Sequence, residues 1–240
     1  MCGRFVASSP PSVLAEQFAV VEITVDVTVA ERPPRWNVAP TDEVLAVATR
    51  GGVRRLGVLA WGLVPSWSRA VTPGRLPRGM INLRAETVVA RPAFRRELQR
   101  HRCIIPADGF YEWASTGSGR SKQPYFIAGR DGRPLALAGL WAAWKDPEAV
   151  GDDEGWVRTC TIVTTEPNEL IAPVHDRMPV VLGEEAWDAW LDRDNDDVEE
   201  LSSLLVACPA ERLTMWPVGA GVNRVQNDGP ELVARLAPAG

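Results

Sequence analysis

The segment EVLAVATRGGVRRLGVLAW, residues 43–61, predicts the kind of fold that the chain adopts. Two runs rich in Val, Leu and Ala flank Gly51 and Gly52, and paired glycines readily adopt the positive φ angles of a tight hairpin turn. We therefore predict a β-hairpin with strands over Glu43–Thr49 and Val53–Trp61. A hairpin of this length indicates that antiparallel strands build the core.

The rest of the chain continues this pattern of short strands, turns and scattered helices. Further strands are predicted over 102–107, from 110 to 113, and over 125–128, 135–144, 156–165, 180–182 and 213–218. Helices are predicted over 13–19, 92–101, 166–174, 184–191 and 198–206, and loops over 36–41 and 68–80. This arrangement is typical of an α+β fold with an antiparallel-rich β core, a partly closed barrel, and flanking helices. No internal repeat or long linker interrupts it, which favours a single domain over residues 1–240.

The composition narrows the possible function classes. No apolar run approaches the ~20 residues that span a bilayer, and the N-terminus lacks a basic and then apolar leader. The four cysteines are scattered without a CxxC pair, and only two histidines are present. These features argue against a zinc site, a disulfide framework and a histidine-rich metal centre. We expect no metal, no cofactor and no membrane association, and a cytoplasmic location.

The charge is divided unevenly along the chain. The net charge is −5, but residues 1–125 carry +7 and residues 126–240 carry −12. Nine arginines against two acids lie between Arg69 and Arg102. Such asymmetry predicts one basic face, as nucleic-acid-binding proteins often have.

The first five residues, Met1-Cys2-Gly3-Arg4-Phe5, offer unusual chemistry. Removal of Met1, which a small second residue permits, would make Cys2 the N-terminal residue, with an α-amine and a thiol on adjacent carbons. The amine can form an imine with an aldehyde, and the thiol can then close a five-membered thiazolidine. An α-amino pKa of about 7.7–8.0 leaves a usable neutral fraction. The alternative is an ordinary small residue at a frayed terminus.

Three further clusters contain polar residues in unexpected settings. Asn82 and Arg84 would share one side of an extended segment. Glu112 lies between Tyr111 and Trp113, and aromatic neighbours would desolvate its carboxylate and raise its pKa towards the range of a general acid. His175 precedes an Asp-Arg-Met-Pro sequence. Taken singly, each cluster also has a structural interpretation, as turn chemistry, a solvent-facing strand residue or a hydrogen-bonded histidine.

Taken together, these clusters and the short sequence motifs around them resemble the SRAP family (SOS-response-associated peptidase domain), whose members sense abasic sites in single-stranded DNA. The matching motifs are residues 1–5, 36–41, 61–67, 82–87, 106–113, 123–125, 138–141, 175–180 and 222–227. They occur in order from residue 1 to about residue 232. The departure is Leu83, where the family usually has a small residue. We expect it to shift the pocket wall but to leave the functional residues Asn82 and Arg84 in place.

The resemblance implies a mechanism and a set of residues. It implies a covalent thiazolidine crosslink between Cys2 and an abasic site, which shields the lesion during the DNA damage response. It assigns catalytic roles to four residues. Cys2 would form the crosslink and Asn82 would hold its amine. Glu112 would act as general acid and base, and His175 would assist it. The implied DNA-binding residues are Arg4, Arg84 and Arg177 on phosphates, Trp67 and Trp36 stacking on bases, and Pro40 at the pocket wall. The protein would act as a nucleoid-associated monomer with single-stranded abasic DNA as its partner.

Other functions remain open at this point. An N-terminal-nucleophile amidohydrolase of the glutaminase type would use Cys2 against an amide, with its own amine as base. The family name also suggests a thiol peptidase, chiefly self-directed, and strand-cleaving lyase activity is a further possibility. A non-covalent single-strand-binding protein would show salt-dependent binding without preference for abasic DNA.

Overall fold

The computed structural model describes residues 2–24, 33–69, 79–115, 122–149, 151 and 154–237. Its strands are β1 (Phe5–Ala7), β2 (Glu22–Ile23), β3 (Arg35–Val38), β4 (Glu43–Arg50), β5 (Val53–Trp61), β6 (Asn82–Arg84), β7 (Arg102–Ala107), β8 (Gly109–Ser115), β9 (Lys122–Gly129), β10 (Leu135–Lys145), β11 (Trp156–Thr165), β12 (Met178–Pro179) and β13 (Leu213–Pro217). The helices are α1 (Pro11–Gln17), α2 (Ala85–Ala90), α3 (Arg95–Arg100), α4 (Trp187–Leu191) and α5 (Val198–Ser203).

Five strands close into a barrel. The order is β11-β10-β7-β4-β5, and β5 returns to β11 through a parallel pairing in which Cys160 lies opposite Trp61. The predicted hairpin of β4 and β5 has the longest run of paired residues in the barrel, from Glu43 opposite Ala60 to Arg50 opposite Val53. The turn glycines, Gly51 and Gly52, have φ angles of 61° and 73°. The predicted α+β fold with a partly closed barrel is therefore confirmed.

The two faces of the barrel strands belong to different cores, because side chains alternate along a strand. Inward-facing residues such as Leu59, Trp61 and Cys160 form an inner core. Outward-facing residues such as Val47 and Ile104 form an outer core, against which the helices pack. The helices therefore cover the outside of the barrel and leave its interior to the strands.

A second sheet, with the order β13-β9-β8-β1-β3, lies beside the barrel. Its strand β1 begins three residues after Cys2, and Phe5 pairs with both Phe110 of β8 and Val38 of β3. The N-terminus is thus anchored between two strands. This position brings the first residues of the chain to the junction of the two sheets.

Several predicted elements differ from the structure. Residues 166–174 form turns instead of a helix, because Pro173 lacks an N–H and the side chain of Asn168 accepts from the Ile171 N–H at 3.1 Å. The predicted loop over 36–41 begins inside β3, and the predicted strand over 180–182 is replaced by β12 and a single bridge from Val181 to Leu137. The predicted helix over 92–101 is a 3-10 turn followed by α3. Most of the predicted loop over 68–80 lies outside the described residues.

Candidate active site

Cys2 lies at the junction between the barrel and the second sheet. Its relative exposure is 0%, and it belongs to the inner core together with Phe5 and Trp61. The rings of Phe5 and Trp61 meet edge to face with centroids 5.1 Å apart, which fixes the start of β1 against the barrel. A residue that a frayed terminus would expose is therefore fully packed.

Asn82 holds Cys2 from the barrel side. It is the first residue of β6, which pairs in parallel with β11 and places Asn82 opposite Ile162. The Asn82 Nδ2 donates a hydrogen bond to the Cys2 carbonyl at 2.8 Å. The Asn82 Oδ1 is buried and has no hydrogen-bond partner among the described residues. One acceptor of this amide is therefore available next to Cys2.

Glu112 lies on β8, which is the direct neighbour of β1. Its relative exposure is 2%, and burial raises the pKa of its carboxyl, while the charges of the N-terminal amine and of His175 counteract part of that rise. The pKa of Glu112 is raised, as predicted, but its aromatic neighbours in sequence are not the cause. Tyr111 belongs to a separate cluster with Phe126, on the face of the sheet opposite the inner core that contains Phe110. Burial at the junction of the sheets therefore desolvates Glu112.

The Cys2 thiol is electrostatically close to Glu112. Burial raises the pKa of this thiol, and the Glu112 carboxyl adds to the rise. The thiol also lies 3.9 Å from the Arg4 carbonyl, to which it donates. Cys2 is therefore a neutral thiol in this state, and its proton must move to a base before or while the sulfur reacts.

His175 lies in the turn before β12 and acts on Glu112 through its charge. Its Nδ1 accepts from the Arg177 backbone N–H at 3.0 Å and lies 2.9 Å from the Asp176 carboxylate. These two contacts hold the imidazole ring in the turn, beside Asp176 and Arg177.

Arg4 is directed into the second sheet. Its Nη1 donates to the Asn37 Oδ1 at 2.8 Å and to the Val222 carbonyl at 3.0 Å. Asn37 is fully buried, and its Nδ2 also donates to the carbonyls of Arg224 and Asn227, at 3.0 and 2.9 Å. Arg4 thus connects the N-terminus to the segment near residue 222, and this contact occupies part of its guanidinium.

Arg84 and Arg177 differ sharply in exposure. Arg84, the last residue of β6, is exposed, whereas Arg177 is 8% exposed. The Arg177 Nη2 donates to the Glu86 carboxylate at 2.7 Å and to the Thr164 carbonyl at 3.0 Å. Thr164 pairs with Arg84 on one side and Pro179 on the other, so β11 brings both arginines to one end of the sheet. Only Arg84 is freely accessible there.

The predicted aromatic residues occupy different settings. Trp67 is 61% exposed, in a loop that Trp144 anchors by donating from Nε1 to the Ser68 carbonyl at 2.9 Å. Trp36 is half-buried against the cluster of the second sheet, and its carbonyl accepts from the Tyr111 hydroxyl at 2.8 Å. Pro40 is half-buried and precedes Thr41, whose φ angle is 80°. Of these residues, Trp67 is the one with an open surface.

The expectation that Leu83 shifts the pocket wall is wrong. Its side chain is buried in the outer core with Val88 and Val163, beneath the helices. Since neighbouring residues of a strand point to opposite faces, Leu83 faces away from the side that Asn82 and Arg84 occupy. It therefore supports the helices and does not form a pocket wall.

The sequence did not single out Asn37, Glu86 or Asp228. Asn37 binds Arg4, Glu86 binds Arg177, and Asp228 accepts hydrogen bonds from the backbone N–H groups of Trp36 and Asn37. Asn37, Glu86 and the segment ending next to Asp228 all stand in the words that carry the family resemblance. The pairings join residues far apart in the chain, so spacing alone could not reveal them.

The described part of the chain has neither a clustered set of metal-ligand side chains nor a membrane-spanning helix. In these ranges no group of three or more His, Cys, Asp or Glu side chains is placed to hold a metal ion. Within the same ranges, no helix has the length and apolar character needed to cross a membrane.

Known proteins are similar to this chain in sequence and in fold. The family model for SOS response associated peptidase (SRAP) matches residues 1–225. The abasic site processing protein YoqW of Bacillus subtilis is 40% identical over 233 residues, which cover 97% of this chain and 99% of that protein. The abasic site processing protein YoaM of the same organism is 39% identical, and the match covers 97% of each chain. An X-ray structure of a protein from Bacteroides thetaiotaomicron has a TM-score of 0.81 at 24% identity, covering 98% of this chain and all of that one.

Proposed function

Because the chain belongs to the SOS response associated peptidase (SRAP) family, we propose that it captures abasic sites in single-stranded DNA as a covalent crosslink through Cys2. The names of YoqW and YoaM, abasic site processing proteins, support the lesion as the target. Removal of Met1 would supply the free α-amine that the reaction needs.

The observation that carries the proposal is the setting of Cys2. A fully buried cysteine is held by the Asn82 amide at 2.8 Å and lies within the electrostatic reach of a buried carboxyl, Glu112. The unsatisfied Asn82 Oδ1 could accept a hydrogen bond from the α-amine of Cys2 and orient its lone pair. A purely structural cysteine would not need a buried carboxyl near its thiol.

The reaction forms two new bonds to one carbon of the lesion. The abasic sugar opens to expose its C1′ aldehyde, and the Cys2 α-amine attacks that carbon to form an imine with loss of one water. The Cys2 sulfur then adds to the same carbon, and the thiol proton is transferred to the imine nitrogen. The product is a thiazolidine ring containing the former C1′, and no oxidant or reductant is consumed.

Glu112 provides the proton transfers. Burial raises the pKa of the Glu112 carboxyl and so favours its protonated form, which can protonate the departing hydroxyl group during imine formation. The resulting carboxylate can accept the thiol proton as sulfur attacks. His175 lies close enough to influence the charge of Glu112 and would return protons from solvent.

DNA binding falls to two exposed groups, Arg84 and Trp67. Arg84 would contact a backbone phosphate through forked donors. Trp67, with most of its ring in solvent, would stack on a base next to the lesion. Arg4 and Arg177 would act mainly by holding the site together, since Asn37 and Glu86 already bind their guanidinium groups.

The test is denaturing gel electrophoresis of the protein after incubation with single-stranded DNA that contains one abasic site. Intact mass measured beforehand establishes that Met1 is absent. We expect a shifted band that survives heat without borohydride, and that is lost in Cys2→Ala while non-covalent DNA binding remains. A crosslink formed by Cys2→Ala, or no crosslink from protein lacking Met1, would overturn the proposal and favour a simple single-strand binder or an amidohydrolase.

A self-directed peptidase activity is a second candidate, favoured by the family description and by the proximity of Cys2, Glu112 and His175. Its role would be release of the protein from its own crosslink. Incubation of purified crosslink with fresh protein, followed by mass spectrometry, tests it. Peptide fragments that remain on the DNA support hydrolysis, whereas intact protein or free DNA does not.

A further inference from the structure

The barrel interior contains a cavity at the end away from Cys2. Its volume is about 470 Å³, within the range of sites that hold small organic molecules. Small residues leave this space open: Ala46 and Ala48 on β4, Gly57 on β5 and Ala143 on β10. Larger side chains at these positions would fill the barrel, as they do further along the same strands.

This cavity is distinct from the Cys2 site. On β11 it is lined by Arg158, whereas Asn82 pairs with Ile162, four residues further on. At about 3.3 Å per residue, the two positions are roughly 13 Å apart along the strand. The buried side chains of Trp61 and Cys160 belong to the inner core between them. A ligand in the cavity would therefore not touch the group around Cys2.

Four arginines line the cavity: Arg50, Arg55, Arg158 and Arg193. The Arg55 Nη2 pairs with the half-exposed carboxylate of Glu22 at 2.9 Å. Among the described residues, no acid lies within ion-pair distance of the other three. The Nε atoms of Arg55 and Arg193 are buried, and no described residue accepts from them. The cavity therefore has surplus positive charge and unsatisfied hydrogen-bond donors, which suit an anion.

An aromatic wall stands beside these charges. The Trp141 ring lines the cavity and packs against the His101 ring, with centroids 4.4 Å apart. Burial lowers the pKa of His101 to about 4, and the charges of Arg96 and Arg193 contribute. His101 is thus neutral at physiological pH and supports Trp141 by packing. With Val58 and Leu59, Trp141 provides an apolar surface suited to a flat ring.

We propose that this end of the barrel binds a small organic phosphate with a planar ring, of the size of a nucleoside monophosphate. The phosphate would take the guanidinium donors of Arg158, Arg193 and Arg50, because forked donors match its oxygens. The ring would lie among Trp141, Ala46 and Ala48. Both parts are needed: the charges alone would suit any anion, and the apolar wall alone would suit any hydrophobic molecule.

Titration of the full-length protein with deoxyadenosine monophosphate, followed by calorimetry, tests this directly. We expect saturable binding, at least about tenfold tighter than that of either deoxyadenosine or inorganic phosphate, as expected when a charge-assisted hydrogen bond or the ring contact is lost. Arg158→Gln should weaken binding about tenfold for the same reason. Ala143→Phe should abolish binding by filling the cavity. Arg95→Gln, an exposed position on α3, is the matched control and should bind as the unsubstituted protein does.

The opposing outcomes are equally specific. The proposal would be overturned if binding did not saturate up to about 5 mM nucleotide, because a dissociation constant above this value is too weak for a specific small-molecule site. Equal affinity for phosphate and nucleotide would overturn the ring contact, and equal loss in Arg158→Gln and Arg95→Gln would overturn the site. Should Ala143→Phe not fold, the double variant Arg50→Gln, Arg158→Gln replaces it. Crosslinking of abasic DNA should be unchanged in the arginine variants, so this test stands apart from that of the Cys2 chemistry.

Discussion

The side-chain amide of Asn82 donates a 2.8 Å hydrogen bond to the backbone carbonyl of Cys2, and so connects β6 of the barrel to the start of the chain. This contact positions the backbone of Cys2, and with it the α-amine and thiol that the proposed reaction uses. Positioning of this kind accounts for much of the rate of reactions between bound groups. It also makes Cys2, the proposed nucleophile, part of the folded core.

Asn82→Ala should slow crosslinking of abasic DNA about fivefold or more, because one hydrogen bond that orients the nucleophile contributes about 1 kcal/mol. Single-turnover rates on denaturing gels measure the effect. Gln99→Ala, which removes one exposed hydrogen bond to the Asp196 carbonyl, is the matched control. An unchanged rate in Asn82→Ala would show that β1 alone positions Cys2.

Glu112→Gln should slow crosslinking about 10²-fold, the usual contribution of a positioned general acid. The unsubstituted protein should lose activity as pH rises through the raised pKa of Glu112, since the reactive form is the protonated acid. The variant should lack this decline and follow only the titration of the amine. A pH profile of the rate separates the two, and identical profiles would remove Glu112 from the mechanism.

Stability provides an independent check on Glu112. Its folded pKa lies above its ordinary value of 4.5, so between these values the folded state binds more protons than the unfolded state. The free energy of unfolding should therefore fall as pH rises from about 4.5 to the folded pKa, and stay reduced above it. Denaturant titrations should show a weaker dependence in Glu112→Gln. A dependence of equal size in both proteins would mean that other groups cause it.

Arg84 and Arg177 should respond differently to substitution. Arg84→Ala should weaken single-strand binding and reduce the slope of log K against log salt by about 0.7, the value for one lost phosphate contact. Its unfolding free energy should stay the same, because the side chain is exposed. Arg177→Ala should reduce stability by about 1.5–3 kcal/mol, since Glu86 and the Thr164 carbonyl lose a charged donor. The opposite ranking in stability would contradict this assignment.

Trp67→Ala should weaken binding of single-stranded DNA by about 1–3 kcal/mol, the range for one base stacked on an aromatic ring. Thermal unfolding should be unaffected, because the ring is 61% exposed. Trp156, which is 49% exposed at the start of β11, offers a control of the same residue type. Equal losses of affinity in Trp67→Ala and Trp156→Ala would mean that neither ring is specific to the DNA site.

Asn37→Ala should destabilise the protein by about 3 kcal/mol. The buried side chain accepts from Arg4 and donates to three backbone carbonyls. The Arg4 contact and the two shorter carbonyl contacts each contribute about 1 kcal/mol. Chemical denaturation measures the loss, with Gln99→Ala again as a control of an exposed amide. A loss below about 1 kcal/mol would show that water replaces these contacts.

Local patterns were enough for the barrel strands. The hairpin over residues 43–61 was predictable because alternation and two turn glycines are read within a short window. The helix predicted over 166–174 was wrong because Pro173 and the Asn168 side chain compete with helical hydrogen bonds. Helix α2 was missed because its six residues are held by packing against the outer core, which no local pattern displays.

The sequence by itself determined the family, the antiparallel β core, and the residue types of the proposed site, because each depends on short words or local periodicity. Only the tertiary structure decided that the charge of Arg177 is paired with Glu86 while Arg84 remains exposed. It also decided that Leu83 lies beneath the helices and that the barrel retains a charged cavity. These features depend on pairings between distant strands, such as that of β5 with β11, which joins residues about a hundred positions apart. Contacts at that separation follow from packing of the whole chain, and local sequence does not encode them one by one.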